Sequence, residues 1–310
     1  KKSFLSMGFS LALVICVLLF IFGFKHFLKG REYQGNAVQK EAESSTQDIH
    51  KEYLDTDKTF QSGYIMIKDV PGKGIYTSKL PGEKKKKGAV YGFLIGDAVG
   101  VPYEFYPSEK LKRLEVIDMI PPKKFNRSHK EVKPGTWSDD GAQMLCVLAS
   151  VLECRNFNIN NLAKKLLAWY EKGYMAVNQK VFDIGVQTEK SLLEYRKTKN
   201  PLTSGLVVRN GRGNGSLMRV LPLALFGEYD DDEKLVEDAH NQSLITHGDI
   251  IPQICCAFYC LWIREIVTIN DIKKAFENTS DLLKKIYEEN KDYKEYLYYL
   301  EERLRPRDYN

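Results

Sequence analysis

Trp137-Ser138-Asp139-Asp140-Gly141-Ala142-Gln143-Met144-Leu145-Cys146-Val147-Leu148-Ala149-Ser150-Val151-Leu152 is the stretch on which the fold turns. Met144, Leu145, Leu148, Val151 and Leu152 recur at the three- and four-residue spacing of one helix face. The same period returns at Leu162, Leu166, Trp169 and Tyr170, and again from Ile251 to Ile266. Gly173, Asn200-Pro201, Gly211 to Gly215 and Gly248 punctuate these segments as turns. Long alternating β-branched runs are absent. The expectation is an all-α domain of many medium helices over residues 88–310, with no internal repeat.

The chain has 310 residues, 43% hydrophobic and 28% charged, enough for a sizeable buried core. Six cysteines are too few for a small disulfide scaffold. Cys146, Cys154, Cys255, Cys256 and Cys260 stand in apolar runs, where a thiol behaves as a small hydrophobe. A net charge of +5, partly from Lys84 to Lys87, lacks the broad basic stripe with interleaved aromatics that a general nucleic-acid binder shows. No nucleic-acid partner is expected.

Residues 1–31 are of different material. Ser3 to Phe24 carries no charge, and about 20 apolar residues suffice to cross a bilayer core. The apolar core is longer than that of a cleaved signal, and no small-residue cleavage site follows it. The expectation is a single transmembrane anchor. Lys25, His26, Lys29 and Arg31 after the span place the C-terminal domain in the cytoplasm by the positive-inside tendency. Residues 32–87 are polar and irregular and read as a linker.

Four features carry chemistry. Gly88, Gly92, Gly96 and Gly100 recur every four residues, which predicts a helix face closely approached by another backbone. Asp97 lies beside that seam, and Glu104 follows just past the end. Second, Ser138, Asp139 and Asp140 open the helix quoted above. Ser and Asp are ordinary caps, and acids suit the positive end of a helix dipole. Two adjacent acids exceed what a cap needs, and a hard divalent cation is the other reading. Third, Asn210-Gly211-Arg212-Gly213-Asn214-Gly215-Ser216-Leu217-Met218-Arg219 is a glycine-rich loop of the kind that lets backbone N–H groups approach a diphosphate. Fourth, Ser243 to Asp249 holds Thr246, His247 and Asp249, either a capped helix with a surface histidine or polar groups facing a ligand.

In this order the four features resemble the ADP-ribosylglycohydrolase family, which includes the ADP-ribosyl-acceptor hydrolases and the dinitrogenase-reductase-activating glycohydrolases. The matching pieces are Gly96-Asp97-Ala98-Val99-Gly100 with Glu104, Trp137-Ser138-Asp139-Asp140, Gly213 to Arg219, and Thr246-His247-Gly248-Asp249. The resemblance implies a compact all-α fold whose cleft holds two Mg²⁺ ions. It implies Ser138, Asp139 and Asp140 as metal ligands, and Glu104, Asp139 and Asp140 as the catalytic carboxylates. Gly213, Asn214, Gly215, Ser216, Met218 and His247 would hold the ADP-ribose, and Asp97 would support the site. The implied reaction is hydrolysis of the glycosidic bond between ADP-ribose and a protein side chain, or of a related ADP-ribose derivative. A non-catalytic ADP-ribose-binding or structural protein on the same fold is the alternative. The family draws its remaining metal ligands from a late Asp-x-Asp-[Thr/Ser] motif. No such motif follows Asp249 in this sequence, so either the sequence stops short of it or the copy is degenerate.

Overall fold

The structure is a computed structural model and describes residues 82–207, 212–229, 231–269 and 271–303. The predicted membrane anchor lies outside these residues, as does the linker up to residue 81. The helices are α1 (Glu83–Gly100), α2 (Ser108–Leu111), α3 (Asp139–Cys154), α4 (Ile159–Lys172), α5 (Val186–Thr198), α6 (Leu221–Phe226), α7 (Asp232–Leu244), α8 (Ile250–Ile269), α9 (Ile272–Glu289) and α10 (Leu297–Arg303). Among the described residues no strand forms. The only extended pairing there is an isolated parallel bridge between Leu206 and His247.

Side chains fix several of the helix starts. Ser138, Asn158, Asp231 and Asp271 accept bonds from the backbone N–H groups of Asp140, Asn161, Lys234 and Lys274, satisfying donors that a helix cannot pair internally. α4 stops at Gly173, whose φ is 68° and whose missing side chain admits the Gln179 carbonyl.

α3 lays Met144, Val147 and Val151 against Leu162, Leu166 and Trp169 of α4, and all six are buried. α8 packs against α7, α9 and α6. It is long and apolar enough to cross a membrane, but most of it is buried inside the protein, as befits a central core helix. Cys256 and Cys260 lie on its buried side, and all the described cysteines are free thiols.

α1 starts at Glu83 and carries Lys84 to Lys87 in its first turns, and one expectation along it needs correction. Lysine is a good helix former, and Glu83 pairs with Lys87 one turn on at 2.6 Å. The glycine seam is not a close approach at its two ends. A methyl group on Gly88 or Gly100 would meet nothing within 4 Å. α1 packs instead through Val90, Phe93 and Ala98, and Tyr91 and Ile95 stay exposed.

Candidate active site

Asp97, near the end of α1, reaches the first turn of α3. Its carboxylate accepts the Ser138 N–H at 2.9 Å, the Ser138 hydroxyl at 2.8 Å and the Gly141 N–H at 2.8 Å. Burial pushes its pKa up to about 7, helped by Asp140 and opposed by these three bonds. Trp137 anchors the same segment from the other side by donating its indole N–H to the Met175 carbonyl at 3.0 Å.

With Asp97 and Trp137 holding the backbone, Asp139 and Asp140 are turned into a crowd of acids. Asp139 is 6% exposed, the Gln143 amide approaches it at 3.5 Å, and it shares a hydrogen bond with Asp140. Burial raises its pKa well above the usual carboxylate range, and Asp140, Asp183, Asp97 and Glu104 all push the same way. Asp140 rises to about 6 through burial and then Asp183. Glu104 follows the short 3₁₀ turn after α1 (Val101–Tyr103) and is half-buried. Its pKa reaches about 7 through burial, repulsion from Asp183 and a hydrogen bond with Asp183, which requires a proton between the two. The structure thus brings Glu104, Asp139 and Asp140 together, with Asp97 behind them.

Two residues of this cluster were missed by sequence reasoning. His129 Nε2 lies 2.7 Å from Glu104 Oε2 and 3.9 Å from Asp183 Oδ1. Burial alone would lower its pKa, but the bond to Glu104 and the charge of Asp183 raise it. Phe105, His129 and Asp183 all have positive φ, at 65°, 47° and 60°. Such backbone is costly for residues other than glycine and tends to gather at functional sites.

The glycine loop forms a second group. His247 is 1% exposed, accepts or donates to the Thr246 hydroxyl at 2.8 Å, and stays neutral because burial drops its pKa to about 3. A methyl on Gly215 would stand 2.8 Å from His247 Cε1, and one on Gly213 would stand 3.5 Å from His247 Nε2. The described part of the loop, from Arg212 onward, therefore packs its glycines on the His247 ring. Asn214 turns the chain by accepting the N–H groups of Leu217 and Met218 at its carbonyl. Ser216 and Met218 face the interior, and the Ser216 hydroxyl accepts the Ser243 hydroxyl at 2.8 Å. Asp249 pairs with Arg212 and accepts the Ile251 N–H.

Arg219 connects the two groups. It is fully buried and donates to Gln143 Oε1 at 3.0 Å, Gln242 Oε1 at 3.0 Å and the Gln242 carbonyl at 2.9 Å. Gln143 in turn approaches Asp139, so the loop's last residue reaches the acids through one amide.

The residues at the head of α3 suit a hard cation. Asp139 is a buried carboxylate surrounded by like charge. The Ser138 hydroxyl gives its proton to Asp97 and accepts the Asp140 N–H, leaving one oxygen lone pair for another partner. Such an all-oxygen donor set is what Mg²⁺ takes.

Residues 81–308 match the ADP-ribosylglycohydrolase family. Two ADP-ribosylarginine hydrolases are similar in sequence. That of Serratia proteamaculans is 30% identical over 62% of this chain and 50% of its own length. That of Pseudomonas putida is 31% identical over 56% and 44%. An ADP-ribosylhydrolase of Xenopus tropicalis is 26% identical over 54% of this chain and 46% of its own. The chain spans about half the length of these curated relatives. With the family matched over most of its length and the acid cluster assembled where the motifs converge, the chain belongs to the ADP-ribosylglycohydrolase family.

Proposed function

We propose that the site hydrolyses the N-glycosidic bond between ADP-ribose and an arginine side chain in a Mg²⁺-dependent reaction. The observation that carries this is the convergence of Glu104, Asp139 and Asp140 in one cluster, with Glu104 near neutrality. The arginine linkage is taken from the two similar hydrolases named for it.

Asp139, Asp140 and the Ser138 hydroxyl would hold the metal. Bound there, Mg²⁺ supplies positive charge to orient ribose hydroxyls. Glu104, ionised in part at neutral pH, accepts a proton from the water that attacks the anomeric carbon. The sugar passes through an oxocarbenium-like state, whose positive charge the surrounding carboxylates favour. The guanidine departs neutral and takes the proton from Glu104, which balances the reaction. The Gly213–Ser216 backbone, seated on the neutral His247 ring, would bind the nucleotide side.

The test measures ADP-ribose released from an arginine-linked ADP-ribosyl peptide with Mg²⁺. Release by wild type, lost in Asp139→Asn, is expected. No release by either protein overturns the proposal. Binding without turnover is the second reading. Calorimetry with ADP-ribose, with and without Mg²⁺, separates the two.

Single-pass membrane attachment through residues 3–24, with the domain in the cytoplasm, is a further part of the proposal and rests on the sequence alone. Release of the full chain from membranes by alkaline carbonate would overturn it.

A further inference from the structure

His129 sets one edge of the acid cluster apart from the rest. Its Nε2 faces Glu104 Oε2 at 2.7 Å and Asp183 Oδ1 at 3.9 Å, and one ligand atom from each of the three residues lies within 4.8 Å of the others. Ligands about 2.1 Å from a tetrahedral ion stand roughly 3.4 Å apart. The two observed distances bracket that spacing, so small side-chain rotations suffice.

The other ring nitrogen supplies an independent sign. His129 Nδ1 lies 3.3 Å from Glu131 Oε1. A metal-binding histidine characteristically gives its second N–H to a carboxylate, which fixes the tautomer and aims the free nitrogen at the ion. The rings of Phe105 and Phe182 flank the imidazole at 5.8 and 5.2 Å and hold its plane.

We infer that Glu104, His129 and Asp183 form a binding site for one divalent cation of the Zn²⁺ or Co²⁺ kind. An imidazole ligand suits such ions, whereas Mg²⁺ favours the all-oxygen set at Ser138, Asp139 and Asp140. The binding does not rest on the proposed hydrolysis. Its consequence does: an ion held by Glu104 takes that carboxylate away from water, so this site would switch the hydrolase off.

The experiment titrates Co²⁺ into the chelator-treated full chain and reads its visible absorption band. One Co²⁺ per chain is expected, displaced by Zn²⁺ and retained in millimolar Mg²⁺. His129→Asn and His129→Gln should each weaken Co²⁺ binding at least tenfold with the helical circular dichroism unchanged. Glu131→Gln should weaken it by about tenfold. Absence of the band in wild type overturns the inference. So does unchanged affinity in both His129 variants, or loss of the band in Asp139→Asn while the His129 variants keep it. None of these readouts depends on turnover, so failure here is distinct from failure of the proposed hydrolase.

Discussion

Asp97 and Ser138 are joined twice, through the serine's backbone N–H at 2.9 Å and its hydroxyl at 2.8 Å, and this pair fastens α1 to the head of α3. Gly141 completes the clasp. A methyl at Gly141 would stand 2.8 Å from both Asp97 Oδ2 and Trp137 Cβ. Gly141→Ala should therefore cost about 1–3 kcal/mol in urea unfolding, the usual range for overpacking a tight site. A stability equal to wild type would contradict the clasp.

Stability in metal-free buffer should be lower at pH 8 than at pH 6. Asp97 and Glu104 have folded pKa values raised to about 7, so the fold binds their protons more tightly than the unfolded chain does. Their contribution is full below the unfolded values and is lost as pH rises through about 7. His240 and His247 work the other way. Their folded values fall to about 4 and 3 through burial, so stability is lost as pH drops below about 6.5. Melting temperature should fall from pH 6 to pH 8, while below pH 6.5 the two histidines offset the gain from the buried acids, Asp139 and Asp140 included. A monotonic rise from pH 5 to pH 8 would refute this.

Asp139→Asn should raise the melting temperature without divalent metal and abolish the Mg²⁺-dependent rise seen in wild type. The substitution removes a buried charge that Asp140, Asp183, Asp97 and Glu104 all oppose. It also removes the principal charge available to a cation. Hydrolysis should drop by about 10²-fold or more if the carboxylate serves the reaction. Differential scanning fluorimetry with and without Mg²⁺ reads the first effect.

Gly215→Ala should act on ligand binding more than on folding. Its methyl would stand 2.8 Å from His247 Cε1 and 3.0 Å from the Thr188 hydroxyl, forcing the loop off the ring. ADP-ribose affinity, measured by calorimetry, should fall at least tenfold. The melting temperature should drop less than in Gly141→Ala. Unchanged affinity would remove the loop from the nucleotide site.

The start of α3 was legible because capping chemistry and helical period coincide there: Ser138 caps, and Met144, Val147 and Val151 go inside. Glu104, Asp139 and Asp140 were legible as a group only through the order of the motifs. His129 and Asp183 were not. Both sit in irregular connections with no period, and left-handed backbone at a histidine or an aspartate leaves no mark in the sequence. The two ends of the glycine seam misled because regular spacing tells which residues share a face, not whether anything packs on it. Gly88 and Gly100 meet open space. The Lys84 to Lys87 run looked like linker because charge density hides a helix whose first turns need no buried face.

The three left-handed residues around the acids, Phe105, His129 and Asp183, set a choice for anyone who would engineer this protein. Glycine at any of them relieves backbone strain of about 1 kcal/mol or more, the easiest thermostability on offer. Each such exchange deletes a ring or a carboxylate from the edge of the acid cluster. Robustness and the proposed hydrolysis would thus be traded at the same three codons, and libraries selected only for heat resistance should drift toward a fold without that acid cluster.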